Sequence, residues 1–160
     1  MLFSDAAVYG MCSNYKIIQA KRLTWNEAKK SCVRDHDASL VSMESSQEWY
    51  FFKRNVTLKK DTHWYIGLKN TNFSKSWCWL SSTDSCTNHN FSTSPARSWR
   101  WKSGEPNHAK TEHCTEMQWD GLYNNLPCDD EQYKGYICEN TIGKELKNVV
   151  KKYKMVKFKS

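Results

Sequence analysis

Seven cysteines, Cys12, Cys32, Cys78, Cys86, Cys114, Cys128 and Cys138, are spread along this 160-residue chain and constrain its fold more than any other feature. They contain no C-x-x-C, and the histidines do not follow a zinc-finger spacing, so they read as a disulfide framework rather than a structural zinc site. Disulfides persist in oxidising compartments. Three N-x-[ST] sequons, at Asn55, Asn72 and Asn90, point the same way, since such acceptors are glycosylated on the secretory route. The expectation is an extracellular, disulfide-bonded domain. The opening "MLFSDAAVYGMC" has neither a basic nor a long apolar region and is not read as a signal peptide. On that reading a leader or anchor has been removed. The longest apolar runs are only a few residues, too short to span a membrane.

A length of 160 residues suits one domain with a moderate core. Aromatic residues make up 14%, too many for a disordered chain despite a mean hydropathy of −0.82. The net charge of +7 is unevenly placed: residues 141–160 hold seven lysines and one glutamate, +6, which leaves +1 for the rest. A basic tail on a nearly neutral domain lacks the basic folded face that nucleic-acid binding requires, so no nucleic-acid partner is expected.

Two helix starts are written in the sequence. Thr24 with Glu27, and Ser45 with Glu48, have the spacing of capping boxes. Trp25, Ala28 and Cys32 then recur at helical spacing, as do Trp49, Phe52 and Val56, and these stripes read as core packing. The alternating "ASLVSMES" reads as a strand between the helices, and Trp64 to Leu68 as a buried strand after them. From Asn70 to Asn107 the chain is rich in Ser, Thr, Asn and Trp with little periodicity. A loop of that length in a compact domain is functional or stapled, and Cys78 with Cys86 is read as the staple. Short strands follow near Cys114–Trp119 and Lys134–Glu139. The order predicts an α+β domain over 12–140, between a stub at 1–11 and the basic tail at 141–160. In that tail Ile142, Leu146, Val149, Val150 and Tyr153 share a helical face. It reads either as a segment for membrane surfaces or acidic partners or, the reading preferred, as a plain basic terminus or linker stub.

These pieces, in this order, resemble a C-type lectin-like domain from about Cys12 to Asn140. The resemblance rests on "TWNEAKKSC", "ASLVSMES", "WYIGL", "WRWKSGEPN", "EHC", "YNNLPCD" and "GYICE". It implies two helices flanking short antiparallel sheets, with a long disulfide-stapled loop region. It implies that Cys32 pairs with Cys138 and Cys114 with Cys128, bridges worth about 4.7 and about 3 kcal/mol in the chain-entropy model. Cys78–Cys86 is then an additional bridge. Cys12 is left over, resembling the second cysteine of an N-terminal hairpin, whose partner lies upstream or on another chain, so a dimer through Cys12 is a candidate.

The same resemblance gives Glu105-Pro106-Asn107 a meaning. In sugar-binding members such a triplet supplies two calcium ligands across a cis proline, and hard cations take several carboxylate and amide oxygens. Glu112, two residues before Cys114, matches the next ligand, and Tyr123-Asn124-Asn125 matches the final Trp-Asn-Asp motif. The implied set is Glu105, Asn107, Glu112 and Asn124, with Asn125 as a fifth contributor around Ca2+. Glu105, Asn107, Glu112 and Asn124 would also hydrogen-bond two neighbouring sugar hydroxyls. The Glu-Pro-Asn order resembles that of members selecting equatorial 3- and 4-hydroxyls, as in mannose, N-acetylglucosamine, glucose or fucose. The usual last aspartate is Asn125 here, which lowers the charge offered to calcium. His108 stands where some members carry an acidic ligand for an accessory ion, so no second ion is expected.

The aromatic rings of Trp99, Trp101 and Trp119 are read as buried packing rather than sugar platforms, and His108 and His113 as surface groups. Two functions follow: a calcium-dependent glycan-binding module, or a lectin-like receptor or ligand ectodomain whose partner is a protein. No G-x-S-x-G, nucleophile–histidine pair or catalytic zinc spacing is present, so no enzyme is expected.

Overall fold

The computed structural model describes residues 14–56, 61–70, 77–80, 100–108 and 110–140, together with the backbone of Leu2–Phe3. Cys12, Cys86, Asn72, Asn90, Trp99 and the tail at 141–160 lie outside the described residues.

Each helix begins where a side chain satisfies free donors of the first turn. Before α1 (Trp25–His36), Thr24 Oγ1 accepts the Glu27 N–H at 3.1 Å and Glu27 Oε2 accepts the Thr24 N–H at 2.7 Å. Ser45 and Glu48 do the same for α2 (Ser46–Asn55), at 3.2 and 2.8 Å. The inward faces carry Trp25, Ala28 and Cys32 on α1 and Trp49 and Phe52 on α2, with Val56 buried at the α2 C-cap. Both boxes and both stripes match the sequence reading. Among the described residues no helix is long and apolar enough to cross a membrane.

The strands are β1 (Leu2–Phe3), β2 (Asn14–Leu23), β3 (Ser39–Leu40), β4 (His63–Lys69), β5 (Cys78–Trp79), β6 (Cys114–Gln118), β7 (Tyr123–Leu126) and β8 (Gln132–Asn140). They form one sheet in the order β1-β2-β8-β4-β6-β7, with β3 also on β8 and β5 also on β4. The β4–β8 pair is parallel and the others are antiparallel. "ASLVSMES" gives only the two paired residues of β3. The ten-residue β2 was not anticipated. Its register slips between Ile18 and Lys21, and such a bulge breaks the period-two alternation by which a strand is recognised. The four-residue β7 was hidden as well, its "YNNL" having been read as a ligand motif.

Two adjoining cores hold the layers together. Trp49 and Phe52 of α2 pack with Trp64, Ile66, Trp79, Trp101, Met117 and Tyr123. Trp25 and Ala28 of α1 pack with Leu23, Leu40, Tyr65, Leu126 and Tyr136. Two buried indole N–H groups find backbone acceptors, Trp25 Nε1 donating to Ile66 O and Trp49 Nε1 to Gly121 O, each at 2.9 Å. Cys32–Cys138 fastens α1 to β8, and Cys114–Cys128 fastens β6 to the segment after β7. Cys78 is also disulfide-bonded; its expected partner is outside the described residues.

Candidate functional site

The loop carrying Glu105 starts from a buried anchor. Arg100 is wholly buried and donates from Nη1 to Met43 O at 2.8 Å and from Nη2 to Ser45 O at 3.0 Å, which fixes the loop's entry against the segment leading into α2. Trp101 follows, buried edge-on to Trp77 and Tyr123, with ring centroids 5.0 and 6.1 Å away. The Lys102 N–H then bonds Tyr123 O at 2.9 Å, so the loop departs from the outer edge of β7. Gly104 turns the chain at φ 88°, a region that L side chains rarely adopt, and the Glu105 N–H closes the turn on Lys102 O at 2.9 Å. The Glu105–Pro106 peptide is cis, as the triplet implied.

Beyond the proline the polar groups converge. The Asn107 backbone N–H reaches Glu105 Oε2 at 3.1 Å and Asn125 Oδ1 at 3.0 Å, while Asn107 Nδ2 donates to Glu105 Oε1 at 2.8 Å. Asn125, on β7, returns two bonds from Nδ2, to Asn107 O at 2.6 Å and to Glu112 O at 3.2 Å. Glu112 lies 3.4 Å from His108 Nδ1. Burial pushes the Glu112 carboxyl above the ordinary range; His108 opposes the shift and the neighbouring Glu105 adds to it. Asn107 Oδ1 is buried and has no hydrogen-bond partner among the described residues.

The structure thus gathers Glu105, Asn107, Glu112 and Asn125. Asn124 is placed differently. Successive residues of a strand face opposite ways, and Asn124 donates from Nδ2 to Glu116 Oε1 at 3.2 Å on the other face of β7. Glu116 is only 2% exposed and also meets His63 Nδ1 at 3.0 Å, Gln118 Nε2 at 3.3 Å and the Lys134 ammonium. The sequence reading missed this residue. Its available signal was a glutamate inside the otherwise apolar strand "CTEMQ", with a lysine in "QYKGY" to neutralise it.

A buried, unpartnered amide oxygen beside two carboxylates is a donor set that fits a hard cation. Among the described residues no three His, Cys, Asp or Glu side chains gather around one point, so such an ion would depend on amide oxygens as much as on carboxylates. Trp101 is buried as expected, whereas Trp119 is 42% exposed at the turn after β6, which corrects its reading as core packing. His108 is exposed and His113 half-buried, with Nε2 3.2 Å from Lys110 O. Asn55, the one described sequon, is exposed at the end of α2 and donates to Phe51 O at 2.7 Å.

Residues 21–140 match the lectin C-type domain family. A hepatic lectin of Gallus gallus is 28% identical over 138 residues, covering 84% of this chain and 57% of that protein. A C-type lectin of the snake-type name lectoxin, from Thrasops jacksonii, is 32% identical over 139 residues, covering 81% of this chain and 77% of its own. This chain therefore spans little more than half of the hepatic lectin. Among solved structures, the C-type lectin domain of murine dendritic cell inhibitory receptor 2, in complex with N-glycan, superposes with a TM-score of 0.63. The two chains are 25% identical, over 88% of this chain and 99% of that one.

Proposed function

Because the chain belongs to the C-type lectin domain family, we propose that the loop Glu105–Asn107 and the two arms joined by Cys114–Cys128 form a calcium-dependent carbohydrate site. The family's domains are carbohydrate-binding or receptor modules rather than enzymes. The observation that carries the calcium reading is the Asn107 Oδ1 atom, buried without a hydrogen-bond partner among the described residues, on a side chain that bonds Glu105. Glu105, Asn107 and Glu112 would hold the ion, joined by Asn124 and Asn125 as their amides turn toward it. Bound calcium supplies coordination positions for two neighbouring sugar hydroxyls. The chain's own work is to present acceptors and donors around them: Glu105 and Glu112 accept from the hydroxyls, and the Asn107 and Asn124 amides donate to them. The Glu-Pro-Asn order supports glycans with equatorial 3- and 4-hydroxyls, of the mannose, N-acetylglucosamine and fucose type. The two disulfides and the exposed Asn55 sequon support a glycosylated, extracellular protein.

The test is calorimetric calcium titration of the folded domain, alone and with excess mannose. The expected result is one site of millimolar affinity or tighter, strengthened by mannose, and glycan binding that chelator abolishes. No calcium heat and no mannose effect would sink the reading.

One observation favours a second reading. Asn125 already bridges Asn107 O and Glu112 O through its amide hydrogens, so the loop is tied to β7 without a cation. A receptor domain that binds a protein partner independently of calcium would use such a self-held loop, and its binding would survive chelator.

A further inference from the structure

A second polar surface lies away from the loop, between β2 and α1. Lys21 and Arg22 on β2 face Lys30 and Arg34 on α1 across a groove of about 280 Å³, whose lining also includes Glu27 and Ser31. All four cations are exposed. The two helix cations are four residues apart and so share one face. The carboxylates nearby neutralise little of this charge. Glu27 is turned back into the capping box, where the Thr24 backbone N–H is the largest influence holding its carboxyl below the usual range. Arg22 pairs with Glu131 at 2.6 Å and Arg34 with Asp35 at 2.6 Å, and exposed pairs of this kind hold their partners only weakly. Lys21 Nζ lies 5.4 Å above the Tyr136 ring, which keeps a cation in place without cancelling it.

The groove is just smaller than the ~300–1,000 Å³ of a pocket that encloses a whole small ligand. It also does not end there. Arg34 lines a second groove of about 470 Å³ with Lys16 and His36, where Asp35 and Asp37 set the far limit of the positive run. From Lys16 to Arg22 the strand covers six steps, about 20 Å at about 3.3 Å each. A narrow basic trough of that length suits an extended polyanion better than a single ion. The disulfides place the domain where the extended polyanions are sulfated polysaccharides. We propose that this trough is a second, calcium-independent site, which seats sulfate groups of such a polysaccharide on Lys21, Arg22, Lys30 and Arg34.

The experiment measures binding of the full, disulfide-bonded chain to heparin and to chemically desulfated heparin, at several salt concentrations, with and without chelator. Two variants are compared. One carries Lys21→Gln, Lys30→Gln and Arg34→Gln; the other carries Lys151→Gln, Lys152→Gln, Lys154→Gln and Lys157→Gln in the tail. The trough variant should bind heparin at least tenfold more weakly with a shallower salt slope, since each phosphate- or sulfate-paired cation contributes to that slope. The tail variant should stay within threefold of the parent. Desulfation should abolish binding and chelator should leave it unchanged. Should the triple variant fail to fold, Lys30→Gln alone, exposed in mid-helix, should still weaken binding about threefold. Heparin binding that follows the tail lysines, that is lost with calcium, or that is matched by double-stranded DNA overturns the proposal. Chelator sensitivity of mannose binding is read separately, so failure here leaves the Glu105 site untouched, and the reverse.

Discussion

Asn125 stands where related motifs place an aspartate, and its two roles pull in opposite directions. As an amide it donates to Asn107 O and Glu112 O, which a carboxylate cannot do. As a neutral group it withholds the third negative charge from a calcium site whose affinity is tuned by ligand charge. Asn125→Asp should therefore raise calcium affinity about tenfold while costing about 1–3 kcal/mol of calcium-free stability, because two buried carbonyls lose their donor. Calcium titration and chelated melting of the same protein would show it; equal stability in chelator would mean the bridge is not holding the loop. Glu116 makes a different prediction. Burial alone would raise its carboxyl, but the His63 hydrogen bond and the Lys134 charge hold it down at about 2. A depressed carboxyl stabilises the fold fully above its unfolded value near 4.5 and loses that contribution as pH falls toward 2. Acid melting should steepen across that window, and Glu116→Gln should flatten it. Truncating Lys134 to alanine leaves a buried carboxylate uncompensated and should cost about 3–5 kcal/mol at neutral pH, as read from the denaturant midpoint.

What the sequence revealed about the elements depended on how local their causes are. The helices were legible because a capping box and an apolar stripe act within a few residues, and Thr24–Glu27 and Ser45–Glu48 form as written. β4 was legible because five consecutive buried residues leave few alternatives. β2 was not, because its bulge is an agreement with β8, more than a hundred residues away, that no local pattern records. The same distance hid the role of Gly135. A side chain there would put a Cβ 2.4 Å from the Trp64 ring carbons, with the Ile18 carbonyl 2.9 Å away on the other side. β8 can therefore lie between β2 and β4 only as glycine at that point. Gly135→Ala should cost about 1–3 kcal/mol, the range for overpacking a filled core, and should loosen β2 together with β4 in hydrogen exchange. A loss confined to β8 ends would contradict this wedge.

Across the whole molecule, the sequence made the donor types of the site legible but not their directions. Glu105, Asn107 and Glu112 were identified by motif, yet that Asn124 turns to Glu116 while Asn125 turns to the loop depends on how β7 pairs with β6. The basic trough was invisible for a related reason: a domain with a balance near +1 can still fold four cations onto one side. The disulfides divide the labour between frame and site. Cys32–Cys138 spans 106 positions and restrains the whole chain, whereas Cys114–Cys128 spans 14 and restrains the arms around Glu112 and Asn125. Calcium should therefore act on stability through the site end. With a dissociation constant of about 10⁻⁴–10⁻³ M, calcium at tenfold excess over that constant adds about 1.4 kcal/mol. For a domain of this size that is a rise in melting temperature of about 3–6 °C, reversed by chelator. Replacing Cys114 and Cys128 by serine should lower melting in chelator and also erase the calcium increment, since the arms are no longer held at one spacing. If the increment survives that change intact, calcium binds elsewhere on the molecule, and the loop at Glu105 is held by Asn125 alone.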